Sequence, residues 1–156
     1  MRIQYLAEDR PDIKFASKEL ARFMSEPTDL GMEQLRRCVR YLVGKPRLVQ
    51  QFPRQDVQHL ALGLSDADYA GCIRTRKSTS CSVLMHGSHM IKLLSTTQVV
   101  LALSVGESEW HALVRTGSAL LGFRSMAQDF GRPLKPTLKT DSSTAIGSGA
   151  RRGVGK

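Results

Sequence analysis

Several features are scarce in this sequence of 156 residues. It has three cysteines, widely spaced and without a C-x-x-C motif, so a disulfide framework is not indicated. No apolar run is long enough to cross a membrane, and the first residues show no signal-peptide pattern. We therefore expect reduced thiols and an intracellular protein, in the cytoplasm or the nucleus.

Acidic residues are also scarce, with 14 Asp and Glu against 23 Lys and Arg, which gives a net charge of +9. This balance favours polyanionic partners, with nucleic acid first and an anionic membrane surface second. The hydrophobic share of 41% lets the chain bury a core, and the charged share of 24% excludes a disordered charged tail. The length fits one compact domain with a short appendage.

The first third of the chain has helical periodicity. The segments "RPDIKFASKELARFMSEP" and "DLGMEQLRRCVRYLVGKP" each repeat apolar residues at helical spacing and end at a proline. The predicted apolar stripe of the second helix consists of Met32, Leu35, Val39 and Leu42. The residues on or near its far face are Arg36, Arg37 and Arg40. These arginines are either a solvated helix face or contacts for a phosphate backbone.

The rest of the chain predicts strands around one long helix. Strands are expected in "DVQHLALGLSD", "STSCSVLMHG" and "SHMIKLLSTTQ", with "VVLALS" as another short run. The segment "GESEWHALVRTGSALLGFRSMAQDFG" predicts a helix of about 20 residues, closed by Gly131 and Pro133. A short strand in "KPTLKTDSS" and the start of a last helix follow.

The six acids of residues 61–156 are not scattered. Asp129 lies at the C-terminal end of the long helix, and the other five lie at element boundaries. These five are Asp66, Asp68, Glu107, Glu109 and Asp141. Clustered carboxylates repel each other unless a cation neutralises them, and hard divalent ions such as Mg²⁺ take oxygen ligands. If these boundaries converge, a carboxylate cluster in a basic surround suits metal-assisted chemistry on a phosphodiester.

Helix geometry separates the two glutamates. At about 100° per residue, Glu109 shares one mostly apolar face of the long helix with six other positions, and this face should meet the sheet. These positions are Ala112, Leu113, Thr116, Leu120, Phe123 and Ala127. Glu107 lies about 160° away, where the helix dipole favours an acid in the first turn. For each aspartate the ordinary alternative is a turn former, and Asp141 could cap the next helix.

Five segments occur in an order that is specific as a set. They are "YLAEDRPDIKFASKELARFMSEPT", "LRRCVRYLVGKP", "LSDADYAGCIRTRKSTSCSVLMHG", "ALSVGESEWHAL" and "KTDSSTAI". Together they resemble the C-terminal part of a copia-type retrotransposon Pol polyprotein, whose familiar forms are close to "YLANTRPDI", "RYLKGT", "SDADWAGD…RKSTSGYVF", "ALSSTEAEYIAL" and "CDNQSAI". The resemblance covers essentially the whole chain.

This resemblance implies a fold and a domain organisation. Residues 1–55 would be a short helical connection segment that follows a reverse transcriptase, and residues 56–156 a ribonuclease H-like domain truncated at its C-terminus. The implied fold is α/β, with a mixed five-stranded sheet and flanking helices. The implied partners are an RNA–DNA hybrid and the reverse transcriptase domain of the same polyprotein, and no membrane.

The resemblance also implies an activity, the cleavage of the RNA strand of RNA–DNA hybrids during reverse transcription. Two divalent ions, Mg²⁺ or Mn²⁺, would be held by the catalytic carboxylates of Asp66, Glu109 and Asp141. Asp68 matches the second acid of the family's SDAD motif, which is not usually counted as a ligand. Candidates for contacts with the nucleic-acid backbone are Arg74, Arg76, Lys77, Arg151 and Arg152.

The sequence departs from the family pattern in three places. The family carries a further acidic ligand downstream of the position of Lys156, "WKS" is replaced around "IKLLS", and "TEAEY" reads "GESEW". The paired aspartates of a reverse transcriptase are absent, so no polymerase activity is implied. The alternative to a nuclease is a decayed or truncated fragment that binds nucleic acid without catalysis, in a salt-sensitive and metal-independent manner.

Overall fold

The computed structural model describes residues 2–151, which divide into two compact units, residues 2–51 and 52–151. The first unit is helical, and the second contains a mixed sheet with helices. The predicted α/β class with a mixed sheet is therefore confirmed. Within the described residues, no helix is long and apolar enough to cross a membrane.

Three helices and a 3-10 turn build the first unit. They are α1 (Arg2–Asp9), the turn (Pro11–Ile13), α2 (Lys14–Ala21) and α3 (Asp29–Gly44). The sequence analysis did not predict α1, and its single helix over residues 10–27 was wrong. Proline has no N–H to donate and fixes its own φ, so Pro11 starts a separate turn. The bonds from Phe23 N to Leu20 O and from Met24 N to Ala21 O span three residues and close α2 early.

The predicted stripe of α3 was partly wrong. Met32 and Val39 are 45% and 46% exposed, whereas Gly31 and Cys38 are buried. A Cβ on Gly31 would lie 2.8 Å from Cγ of Phe23, so only glycine permits this approach. Because these small residues face the core, α3 is rotated about its own axis relative to the predicted orientation. The core of this unit consists of Ala7, Ile13 and Cys38, with Ile3, Ala16, Leu20 and Leu42 packed against it.

A polar network joins the start of the 3-10 turn to the end of α3. The Arg10 guanidinium donates to both carboxylate oxygens of Asp12, at 3.0 and 2.8 Å, and to the carbonyls of Lys45 and Pro46. The Tyr41 hydroxyl donates to Asp12 at 2.8 Å. The hydrogen bond from Arg10 is the main reason why the pKa of Asp12 is lowered to about 2.

The second unit contains a four-stranded sheet in the order β3-β2-β1-β4. The strands are β1 (Leu60–Asp68), β2 (Thr79–His86), β3 (His89–Thr97) and β4 (Lys135–Lys139). Strand β1 pairs antiparallel with β2 and parallel with β4, and β2 pairs antiparallel with β3. The described residues thus hold four of the five strands that the resemblance implied.

Two strand predictions need correction. The strand in "VVLALS" does not form, and Val99 and Leu103 are 86% and 82% exposed in a loop. The chain leaves the sheet at Gln98, whose side-chain amide donates to Ser80 Oγ at 3.0 Å and to the Ser108 carbonyl at 2.8 Å. These bonds direct the chain from β3 toward the next helix instead of extending the sheet. The first strand also begins at residue 60, four residues later than predicted.

The long helix α4 (Val105–Asp129) packs on the sheet, and α5 (Ser143–Ala150) follows β4. With 25 residues, α4 exceeds the predicted length of about 20, and its N-cap is Ser104, whose side chain accepts from Glu107 N. Its buried residues are Ser108, Glu109, Ala112, Thr116, Leu120 and Ala127. The predicted sheet-facing side of this helix is therefore confirmed.

Candidate metal centre

Three elements bring three carboxylates together. Asp66 lies in β1, Glu109 lies in the second turn of α4, and Asp141 lies between β4 and α5. One carboxylate oxygen from each residue lies within 4.8 Å of the others. The convergence follows from the topology, because β1 and β4 are parallel neighbours and α4 crosses between β3 and β4.

A close helix–strand contact sets the distance between Glu109 and the sheet. A Cβ on Gly63 of β1 would lie 2.9 Å from Cγ2 of Thr116, so a larger residue would push α4 away. The buried hydroxyls of Thr116 and Ser82 are hydrogen-bonded at 2.7 Å. This contact fixes α4 against β1 and β2 and so holds Glu109 beside Asp66.

Glu109 is the buried member of the cluster, with 5% exposure, and Asp66 and Asp141 are exposed. Its Oε1 accepts from Ala67 N at 3.3 Å, and the same N–H reaches Asp66 Oδ1 at 2.9 Å. Its Oε2 is buried and has no hydrogen-bond partner among residues 2–151. Buried polar atoms nearly always have a hydrogen-bond partner. We therefore expect a bound group to supply the partner of this oxygen.

The electrostatics point the same way. Burial raises the pKa of the Glu109 carboxyl, the Ala67 N–H lowers it, and the charges of Asp66 and Asp141 raise it further. Three ionised carboxylates at this spacing therefore destabilise one another in the absence of a counter-charge. A cation among them would offset the repulsion and satisfy the unpaired oxygen.

The donor set fits a hard divalent cation. Its members are oxygens only, which suits Mg²⁺ or Mn²⁺ better than Zn²⁺, which is usually held by histidine or cysteine. Carboxylate clusters without a bound ion are common on protein surfaces, but this one includes a buried oxygen without a partner. The residues present therefore fit the group that the resemblance implied.

The structure separates these three acids from their neighbours. Asp68 continues β1, but its carboxylate lies against Gly71, where a Cβ would be 1.7 Å from Asp68 Oδ2, and it is outside the cluster. Glu107 accepts from Leu103 N at 2.7 Å and so closes the first turn of α4, as its first-turn position predicted. Asp129 is the last residue of α4.

The capping alternative for Asp141 is wrong. The N-cap of α5 is the next residue, Ser142, whose Oγ accepts from Ala145 N at 3.2 Å. The carboxylate of Asp141 is thus not used as the helix cap and reaches the cluster instead. In the "TDSS" segment, Asp141 therefore belongs to the carboxylate cluster and Ser142 caps the helix.

The basic candidates lie outside this cluster. Arg74 and Arg76 are exposed in the loop between β1 and β2, and Arg76 has a φ of 54°, which is unusual for a residue other than glycine. The Lys77 ammonium donates to the Val99 carbonyl. Arg151 is exposed after α5, and Arg152 lies outside the described residues. Nucleic-acid contact by these residues stays a prediction.

The sequence analysis missed Gln98. By donating to the Ser108 carbonyl, its side chain holds the turn of α4 that carries Glu109. It is 7% exposed and also binds Ser80 of β2, so it ties this turn to the sheet. No local pattern could have marked it, because its partners lie 10 and 18 residues away.

Similar proteins are known. The retrovirus-related Pol polyprotein from transposon RE1 of Arabidopsis thaliana is 33% identical over 129 residues, 83% of this chain. The corresponding polyprotein from transposon TNT 1-94 of Nicotiana tabacum is 31% identical over 138 residues, 88% of this chain. Secreted RxLR effector protein 161 of Plasmopara viticola is 35% identical over 104 residues, 67% of this chain and 72% of that protein. No family model matches the chain, and no solved structure matches it significantly.

The matched segment is a small part of the polyproteins. It makes up 9% of the RE1 polyprotein and 10% of the TNT 1-94 polyprotein. The identity of 31–33% nevertheless extends over most of this chain and agrees with the order of motifs in its sequence. This chain therefore belongs to the family of retrovirus-related Pol polyproteins of transposons.

Proposed function

We propose that this chain is a divalent-metal-dependent endonuclease of ribonuclease H type, which cleaves the RNA strand of RNA–DNA hybrids. The observation that carries the proposal is the carboxylate cluster of Asp66, Glu109 and Asp141, with oxygens within 4.8 Å and one buried oxygen unpartnered. Membership in the Pol family supports a role within a polyprotein alongside other domains, which this proposal fits.

Each of the three residues has a part in this proposal. Asp66 and Asp141 present exposed carboxylates at the ends of neighbouring strands, where a phosphodiester can approach. Glu109 supplies the buried oxygen and so sets how far the cluster extends below the protein surface. When bound, divalent ions activate a water nucleophile and stabilise the leaving oxygen of a phosphodiester. Ala67 N–H orients the carboxylates of Asp66 and Glu109 by donating to both.

The substrate and the partner follow from the family and from charge. Residues 61–156 carry 12 Lys and Arg against six acids, three of which form the cluster, so this part of the chain is basic apart from the cluster. A basic surround attracts a nucleic-acid backbone, and A-form shape with 2′-hydroxyl contacts distinguishes a hybrid from duplex DNA. The partner within the polyprotein would be the reverse transcriptase that produces the hybrid.

Cleavage of an end-labelled RNA–DNA hybrid in Mg²⁺ and in Mn²⁺ tests the proposal. The variant Asp66→Asn removes one carboxylate of the cluster, and Asp68→Asn is its matched control two residues along the same strand and outside the cluster. We expect metal-dependent cleavage in the wild type and in Asp68→Asn, and its loss in Asp66→Asn.

A different result would favour the other function. If the folded wild-type chain binds the hybrid equally well in EDTA and in Mg²⁺ but never cleaves it, the nuclease proposal is wrong for this chain. The chain would then be a nucleic-acid-binding fragment without catalysis.

A further inference from the structure

The charges of the first unit are sharply divided along the chain. Residues 2–33 contain five basic and seven acidic residues, whereas residues 34–51 contain five basic and no acidic residues. Most cations of the first segment are paired, in Arg10–Asp12, Lys14–Glu8, Lys18–Glu19 and Arg22–Glu19. Paired and unpaired cations thus occupy different parts of one small helical unit.

The unpaired cations of α3 form what we call the arginine face, which consists of Arg36, Arg37 and Arg40. All three are exposed, and none forms an ion pair within residues 2–151. Taking about 100° per residue, Arg36 and Arg40 lie opposite the buried Cys38, and Arg37 lies on the flank. Like charges four residues apart weaken a helix, so this arrangement is slightly unfavourable for the free protein.

The arginine face is held on an ordered helix. Thr28 caps the start of α3, and the Arg10 guanidinium donates to the Lys45 and Pro46 carbonyls just beyond its end. The backbone that follows the arginines is therefore held in place at Lys45 and Pro46. Guanidinium groups bind phosphate oxygens in a bidentate manner, and fixed donors lose little freedom on binding.

We propose that the arginine face is a nucleic-acid-binding site of its own, which contacts the phosphate backbone without metal and without the carboxylate cluster. An anionic membrane is the less suitable partner, because a helix that lies on a membrane inserts its apolar side. Part of the apolar side of α3 is instead used inside the unit, where Cys38 belongs to the core and Leu42 packs against it, whereas Met32 and Val39 are about half exposed. This proposal does not depend on the nuclease proposal.

The test measures binding of a labelled 20-bp DNA duplex to the full chain in EDTA, over a range of NaCl concentrations. The variant R36Q/R37Q/R40Q is compared with K14Q/K18Q/R22Q, which loses the same charge from the paired part of the same unit. Glutamine is a good helix former, so α3 should stay helical in the variant. The far-UV circular dichroism spectrum of the chain should therefore be unchanged. Because the assay contains EDTA and duplex DNA, it measures binding without any contribution from metal-dependent cleavage of a hybrid.

We expect the arginine variant to reduce the slope of log K against log salt by about 2 to 3, because each phosphate contact contributes about 0.9. At moderate salt its affinity should fall at least tenfold, and the matched control should change less than about threefold. The variant R36K/R37K/R40K should keep the salt slope and lose only part of the affinity.

Two results would overturn the proposal. Equal losses in both glutamine variants would mean that only net charge matters. Loss of binding to anionic lipid vesicles, with unchanged DNA binding, would identify the arginine face as a membrane contact instead.

Discussion

Two acids of this chain lie in opposite surroundings. Asp12 of the first unit receives three hydrogen bonds, two from Arg10 and one from Tyr41, and its pKa is lowered to about 2. Glu109 of the second unit is more deeply buried, has Asp66 and Asp141 as neighbours, and has a raised pKa. Protein groups satisfy the first carboxylate, whereas the second has an oxygen without a partner.

The difference separates a structural acid from an acid available to a ligand. A carboxylate that is fully satisfied by a guanidinium and a hydroxyl contributes to the free energy of unfolding. A carboxylate among like charges reduces that free energy until a cation binds, which is the usual trade between stability and function. The following experiments test this contrast, from the largest expected effect to the smallest.

The variant Glu109→Gln should have the largest effect. We expect hybrid cleavage to fall by about 100-fold or more, because the loss of one carboxylate weakens the cation site. In EDTA the same variant should be more stable than the wild type by about 1 kcal/mol, since it removes a buried like charge. Cleavage rates and thermal unfolding measure the two effects. A variant that is less stable in EDTA would contradict the role given to Glu109.

The variant Asp12→Asn should be less stable by about 1.5 to 2 kcal/mol, because it weakens charge-assisted bonds to Arg10. The pKa of Asp12 is depressed in the folded state, so this stabilisation is present above about pH 4 and is lost as the pH falls toward 2. Urea unfolding from pH 2 to 6 measures it. The control Glu8→Gln alters an exposed pair and should change stability by less than about 0.5 kcal/mol. Identical pH slopes in Asp12→Asn and the wild type would refute this account.

Asp141 and Ser142, which follow β4, allow cation binding and helix capping to be tested separately. Divalent cation at ten times its Kd should stabilise the wild type by about 1.4 kcal/mol, which thermal unfolding in Mn²⁺ and in EDTA detects. We expect Asp141→Asn to lose this increase and to unfold in EDTA at nearly the wild-type temperature. An unchanged increase in this variant would exclude Asp141 as a ligand.

The smallest effect is expected for Ser142→Ala, which removes the cap of α5 and leaves the carboxylate of Asp141 in place. Stability in EDTA should fall by about 0.5 to 1 kcal/mol, and the increase on adding Mn²⁺ should persist. Loss of that increase would show that the two residues act together rather than separately.

The sequence predicted most of the second unit because its signals are local. Alternating runs marked the three strands β1, β2 and β3, and the periodicity of α4 correctly placed Glu109 toward the sheet. The loop in "VVLALS" was missed because its residues favour strands, whereas the distant bonds of Gln98 to Ser80 and Ser108 direct the chain away from the sheet.

The first unit was less predictable for a related reason. The stripe of α3 was assigned to the large apolar residues Met32 and Val39, but Gly31 and Cys38 form the buried line because small residues permit close packing. Element boundaries marked five candidate acids, helix geometry selected Glu109 over Glu107, and the resemblance assigned Asp66 and Asp141. The unpaired oxygen of Glu109 and the shared Ala67 N–H depend on three-dimensional packing, and no sequence pattern encodes them.

The parallel pairing of β1 with β4 also has a consequence for folding order. Leu60 and Lys135 are partners in this pair, and two antiparallel hairpins and α4 lie between them along the chain. Closing so long a loop is slow, so the local β1–β2–β3 hairpins should form before β4 joins the sheet. Asp141 lies two residues beyond the end of β4, so the carboxylate cluster is complete only at the last step. Cation binding during refolding would thus mark the moment at which the second unit becomes native.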